Sequence, residues 1–136
     1  MSGDDLPFKA KVVGLILAKD AEKALELLSQ HHGVVKPNLK VGMPKRYSRK
    51  AACYVAEKRT IHVWSREVLH SPQVILHEFY HHLRYSLDGQ RGVEKYAERF
   101  AESYFQAYKM IIAEQLSVKN ENGWPIGRST TQSRNK

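Results

Sequence analysis

One stretch limits what this chain can fold into more than any other. From Ser71 the sequence reads Ser-Pro-Gln-Val-Ile-Leu-His-Glu-Phe-Tyr-His-His-Leu-Arg-Tyr-Ser-Leu, followed by Asp88-Gly89-Gln90-Arg91-Gly92. Ser71 and Pro72 are a helix-start signal, a side-chain cap followed by a ring with its φ already set. Gly89 and Gly92 break the helix after Leu87. Between these signals Ile75, Leu76, Phe79, Leu83 and Leu87 recur at helical spacing and form an inward stripe. Val74, His77, His81 and Tyr85 form the neighbouring stripe. His77 and His81 therefore stand one turn apart on one helix face, where both imidazoles can reach one metal ion. Glu78 lies beside them, placed to take a proton from a metal-activated water. That is the chemistry of an HExxH zinc site.

The rest of the chain is expected to build a small α+β domain around this helix. A helix is predicted over residues 8–30, with a break at Gly14 or at Lys19-Asp20, where Asp20 can cap a second segment. Gly33 stops it, and His31 and His32 read as its fraying end. A strand is expected near residues 39–42, followed by a basic loop over residues 45–50. Residues 51–64 read as a β-hairpin, with Ile61 and Val63 on one face and His62 and Trp64 on the other. A last helix is predicted over residues 93–116, with an apolar face containing Tyr96, Phe100, Tyr104 and Ile111. The expected architecture is an N-terminal helix, a sheet of about three strands, the HExxH helix and a glutamate-bearing helix. The domain is placed at residues 1–116. Residues 117–136 are expected to be a polar, flexible tail, interrupted by Trp124, Pro125 and Ile126.

Composition narrows the class. The chain has 136 residues, enough for one domain with a modest core. The apolar run over residues 12–18 is far short of the roughly 18 residues a membrane span needs, and Lys19-Asp20 interrupts it. The expected setting is cytoplasmic. The single cysteine, Cys53, excludes an internal disulfide and a cysteine-based zinc knuckle. The formal charge of +8 favours anionic partners, but no nucleic-acid motif accompanies the basic loop.

A catalytic zinc takes a third protein ligand and keeps one position open for water. The last helix supplies Glu94-Lys95-Tyr96-Ala97-Glu98-Arg99-Phe100-Ala101, in which Glu94 and Glu98 share a face. One can bind zinc while the other accepts the N–H of a ligating histidine. This run resembles the ExxA(D/N)xFA segment of the ImmA/IrrE regulatory peptidases and of the membrane-bound CAAX-type peptidases. In size and in its strand–strand–helix–helix order the chain is most similar to the archaeal minigluzincins. The resemblance spans roughly residues 51–104 and implies a gluzincin-type, zincin-like metallopeptidase domain. It implies that His77, His81 and Glu94 bind one zinc ion, that Glu78 is the general base, and that Glu98 supports a ligating histidine. It also implies that the strand Thr60, Ile61, His62, Val63 and Trp64 pairs with extended peptide substrate. Minigluzincins are made as self-blocked zymogens, so the tail could lie over the cleft and hold the chain latent.

Two departures from the pattern matter. Glu98 stands where the family has Asp or Asn, and the gap from His81 to Glu94 is short. If the last helix returned directly from Leu87, Glu94 would lie only about 2 Å into it and Glu98 about 7–8 Å. His81 lies roughly 9 Å back from Leu87, so this count favours Glu98, whereas a helix starting near Gly89 removes the conflict, and Glu94 is kept as the expected third ligand. Tyr85, Tyr96 and His62 are candidate oxyanion or substrate contacts. His82 points about 100° away from His81 and belongs to packing or surface. Two other functions fit the sequence: a zinc-binding regulatory domain with little activity, and a basic nucleic-acid-binding module.

Overall fold

The computed structural model describes residues 5–47 and 50–121. Four helices and one three-stranded mixed sheet make up an α+β architecture. The helices are α1 (Asp5–Leu17), α2 (Ala21–His32), α3 (Pro72–Asp88) and α4 (Glu94–Glu121). The strands are β1 (Asn38–Val41), β2 (Ala52–Val55) and β3 (Thr60–Val63). No helix among the described residues is long and apolar enough to cross a membrane.

Local signals in the sequence set most of these boundaries. The N-terminal helix splits at Lys19-Asp20 and not at Gly14. Lys19 takes a left-handed φ of 72°, and the Asp20 carboxylate accepts a hydrogen bond from the Lys23 N–H at 3.2 Å. Gly14 stays helical, with only Tyr108 near the position a Cβ would take. Gly33 ends α2 in the left-handed conformation. His31 and His32 belong to the helix: His31 stacks on Phe8 at 4.1 Å, and His32 packs beside Phe79 and Phe100.

Ser71 caps α3, its hydroxyl accepting from the Val74 N–H, with Pro72 at the first helical position. Such a cap contributes on the order of 1 kcal/mol. Gly89, at φ 73°, closes the helix on the Tyr85 carbonyl. Leu87 is 63% exposed, so the inward stripe ends at Leu83. α4 runs to Glu121, past the residue-116 boundary expected for the domain. Trp124, Pro125 and Ile126 lie outside the described residues, as does the rest of the tail beyond Glu121.

β3 is the central strand. It pairs antiparallel with β2, as the hairpin predicts, and parallel with β1, in the order β1-β3-β2. Ile61, Val63 and Tyr54 face a core formed with Val12, Val13 and Ile16 of α1, Leu25 and Leu28 of α2, Ile75, Leu76 and Phe79 of α3, and Tyr104 of α4. Each fully buried aliphatic or aromatic side chain there contributes about 1.5–3 kcal/mol by leaving water. α4 packs along both α1 and α3, which fixes its first turn against the motif face of α3.

Beneath that face, Tyr54 ties the sheet to α3. The His82 Nε2–H donates to the Val35 carbonyl at 2.6 Å, which leaves Nδ1 to accept from the Tyr54 hydroxyl at 2.7 Å. Burial pushes the Tyr54 phenol up to about 12, above the usual tyrosine value near 10. A raised phenol pKa favours the neutral form in the folded state. The stability tied to it is complete below the unfolded value near pH 10 and declines as pH rises towards 12. Tyr54→Phe should remove this alkaline loss. At neutral pH it should cost about 1–3 kcal/mol, because it leaves the buried His82 Nδ1 without a donor. Thermal melts of both proteins at pH 7 and pH 11 measure the two effects.

Candidate metal centre

Two helices converge on one point. α3 presents His77 and His81 one turn apart, with ring centroids 5.2 Å from each other. The first turn of α4 presents Glu94, where a carboxylate also suits the positive end of the helix dipole. Glu94 Oε1 lies 2.6 Å from His77 Nε2, and Oε2 lies 3.2 Å from His81 Nε2. One donor atom from each residue falls within 4.8 Å of the other two.

The loop between the helices explains why Glu94, and not Glu98, reaches this point. The chain does not return to α4 directly from Leu87. Residues 89–93 first turn back beside α3 through left-handed backbone at Gly89 and Gly92, φ 73° and 82°, before α4 begins at Glu94. The Arg91 carbonyl thus draws level with His81, and Gly92 lies against the Tyr80 ring. The helical count that favours Glu98 gives this return no length.

Arg91 is the residue that sequence reasoning missed. Its carbonyl accepts the His81 Nδ1–H at 2.6 Å. That bond fixes the tautomer: a carbonyl only accepts, so a neutral ring carries its proton on Nδ1 and leaves Nε2 as a bare lone pair. His81 is 1% exposed, and its Nε2 has no hydrogen-bond partner. Glu94 Oε2 is near it but misaligned for a hydrogen bond, so two electron-rich atoms face one another. A buried acceptor left this way costs about 1–3 kcal/mol. A cation between the two atoms satisfies both. Two imidazole nitrogens and one carboxylate match the ligand chemistry of a catalytic zinc.

Glu98, expected to accept a histidine N–H, does not do so. It is exposed one turn further along α4, and the Arg91 carbonyl takes that role for His81. The three expected substrate contacts are also elsewhere. Tyr85 is half-buried and packs on Tyr54 at the margin of the core. Tyr96 is exposed, with the Arg99 guanidinium over its ring at 5.6 Å. His62 donates from Nδ1 to the Gly42 carbonyl at 2.9 Å and lines a hollow apart from the metal cleft.

Glu78 lines the same cleft as His77 and Glu94, a hollow of about 520 Å³ between β2 and α4. Burial pushes its carboxyl above the usual glutamate range, against the neighbouring imidazoles, and the Glu94 charge adds to the rise. Burial acts on Glu94 in the same sense, but the hydrogen bond with His77 and the nearby His81 outweigh it and hold Glu94 below its ordinary value. Two neighbouring carboxylates are thus pushed apart, one towards carrying a proton and the other towards staying ionised.

Residues 60–64 do not offer an edge for a peptide. β3 is paired on both sides, and the strand that borders the cleft is β2. The Ala51 carbonyl accepts from Trp64 N–H, and Cys53 and Val55 lie opposite His62 and Thr60. By antiparallel alternation, the Ala52 and Tyr54 backbone groups point away from β3. Arg91 Nη1 already donates to the Tyr54 carbonyl at 2.8 Å. Ala52 is left as the outward-facing rung beside the cleft.

Compared with known proteins, no family model, no curated protein and no solved structure matches this chain.

Proposed function

We propose that the chain is a gluzincin-type zinc metallopeptidase, with His77, His81 and Glu94 as the residues that hold the ion. The observation that carries this reading is the buried, unpartnered lone pair of His81 Nε2, aimed at a carboxylate beside a second imidazole. A bound zinc ion supplies a Lewis acid that makes a water acidic near neutral pH and polarises a scissile carbonyl. Glu78 takes the proton from that water and carries it to the leaving amine, a task suited to a carboxyl whose pKa is already raised. Arg91 holds the His81 ring in its productive tautomer through its carbonyl. The outward N–H and C=O of Ala52 pair with an extended peptide, which settles between β2 and α4.

A cytoplasmic setting belongs to the same proposal. The buried free thiol of Cys53 is compatible with a reducing compartment.

The test is hydrolysis of an unstructured protein such as casein by the purified chain. Cleavage should vanish on chelation and return when stoichiometric zinc is added. Zinc bound without cleavage at any loading would leave a metal-binding domain and defeat the peptidase reading.

A further inference from the structure

Three hydrogen bonds close a ring beside the metal point. The Tyr54 hydroxyl donates to His82 Nδ1 at 2.7 Å. His82 is the chain neighbour of His81, whose Nδ1–H donates to the Arg91 carbonyl at 2.6 Å. Arg91 Nη1 then donates back to Tyr54, on its main-chain carbonyl, at 2.8 Å. Tyr54 and Arg91 each contribute a side chain and a backbone carbonyl. The β2 strand, α3 and the loop before α4 are thereby held as one unit.

The loop is where such a hold matters. Residues 89–93 turn through left-handed backbone at Gly89 and Gly92, and glycine leaves a chain free to take other paths. Gly92 lies against Tyr80, which restrains one side of Arg91. On the other side, the Gln90 N–H bonds to Asp88 within the same turn. Among the described residues, Arg91 alone of this loop bonds to the sheet. Any residue at position 91 offers a carbonyl; a long side chain with a donor at its tip keeps that carbonyl in place.

The state of His81 depends on the carbonyl. With its proton on Nδ1 the ring presents a bare Nε2, which is buried and has no hydrogen-bond partner. With its proton on Nε2 the ring cannot coordinate an ion there. The charge of Arg91 works the other way. Arg91 lines the cleft with Glu78 and Glu94, and a fixed positive charge repels a divalent cation. Removing the guanidinium should therefore tighten zinc binding if charge is its only influence, and weaken it if position is.

We infer that the Arg91 side chain is a positioning group for the metal point: by holding the Tyr54 carbonyl, it keeps the Arg91 carbonyl on His81 and so keeps His81 Nε2 bare and aimed at the ion. The inference rests on the reading of His77, His81 and Glu94 as zinc ligands, but its first test needs no metal. Long-range proton–nitrogen NMR of the histidine rings in the metal-free chain, at about pH 8 where imidazole is neutral, reports which nitrogen carries the proton. Native His81 should show the Nδ1–H tautomer alone. In Arg91→Met the Nε2–H tautomer should appear beside it. Zinc competition titrations should show Arg91→Met binding about 10–100-fold more weakly than the native chain, the usual loss when a ligand's support goes. Arg91→Lys restores a donor on a long stem and should bind zinc at least about twofold more tightly than Arg91→Met, the low end of one hydrogen bond's contribution. Charge alone predicts the reverse order. Arg91→Gln, neutral and two bonds shorter than arginine, repeats the test with a polar side chain, and melting temperatures report the fold of each variant.

A single Nδ1–H tautomer retained in Arg91→Met and Arg91→Gln overturns the positioning role. Zinc affinity at or above native in those variants overturns it too. Failure of the metal reading looks different: the native chain would bind no zinc, while the tautomer of His81 would still change with Arg91.

Discussion

Under the proposed peptidase activity, Glu78→Gln should lower the turnover of peptide hydrolysis by about 10²–10⁴-fold while zinc binding is kept. Glutamine keeps the shape of the side chain but cannot take or deliver a proton. Zinc is retained because Glu78 is not among the three residues whose donor atoms converge. The same substitution has an opposite effect on stability. Folding raises the Glu78 carboxyl pKa, chiefly by burial, so it favours the protonated form. The associated stability is present below the unfolded value near 4.3 and is lost as pH rises through the folded value. Above that, an ionised Glu78 destabilises the metal-free fold, and a permanently neutral glutamine removes the cost. Metal-free Glu78→Gln should therefore melt higher than the native chain at pH 7, with the gain vanishing below about pH 4. A variant that keeps more than a tenth of native turnover would remove Glu78 from the proton path.

The second large effect is expected at Gly92, which is not one of the three residues proposed to hold the ion. Gly92 adopts φ +82°, and a Cβ there would stand 2.6 Å from Tyr80 Cε2 and 3.1 Å from Arg84 Cγ. The Tyr80 ring cannot swing clear: it is buried among the rings of His81 and Phe100, and its hydroxyl accepts from Arg84 Nη1 at 3.2 Å. Gly92→Ala should cost about 2–4 kcal/mol, combining left-handed strain with overpacking. It should also push the adjacent Arg91 carbonyl off His81 Nδ1, weakening zinc binding by about 10–100-fold, the usual effect of losing a ligand's supporting hydrogen bond. Gly89→Ala separates the two causes. Gly89 also has a positive φ, 73°, but nothing lies within 4 Å of its would-be Cβ. It should lose about 1 kcal/mol and keep its zinc affinity. Calorimetric melts and zinc competition titrations on both variants read these outcomes. Equal zinc affinity for Gly92→Ala and the native chain would detach the loop from the metal point.

The contrast between these two glycines shows what the sequence could and could not reveal. The ends of α3 were legible because they depend on local chemistry: a serine cap, a proline at the first position and a glycine at the stop. The β2–β3 hairpin was legible for the same reason, from alternation and a short turn. The strand order was not. Parallel pairing of β1 with β3 joins segments about 20 residues apart, and nothing in β3 signals that it has neighbours on both sides. Thr60 to Trp64 is therefore not the substrate edge that the resemblance implies, because the strand facing the cleft is β2. His77, Glu78 and His81 could be placed by helical period alone. Glu94 against Glu98 could not, because the answer lies in the return path of residues 89–93, which turns through left-handed backbone at Gly89 and Gly92. Arg91 left no sequence signal of its own: it acts on His81 through a backbone carbonyl that every residue possesses.

The central claim is that His77, His81 and Glu94 hold a zinc ion. Its most direct test is the zinc content and affinity of the purified native chain beside His81→Ala, Glu94→Ala and Glu98→Ala. One tightly bound zinc per chain is expected in the native protein and in Glu98→Ala. In His81→Ala and Glu94→Ala, binding should be lost at the same free zinc concentration. Zinc retained at native affinity in Glu94→Ala, or lost in Glu98→Ala, would contradict it.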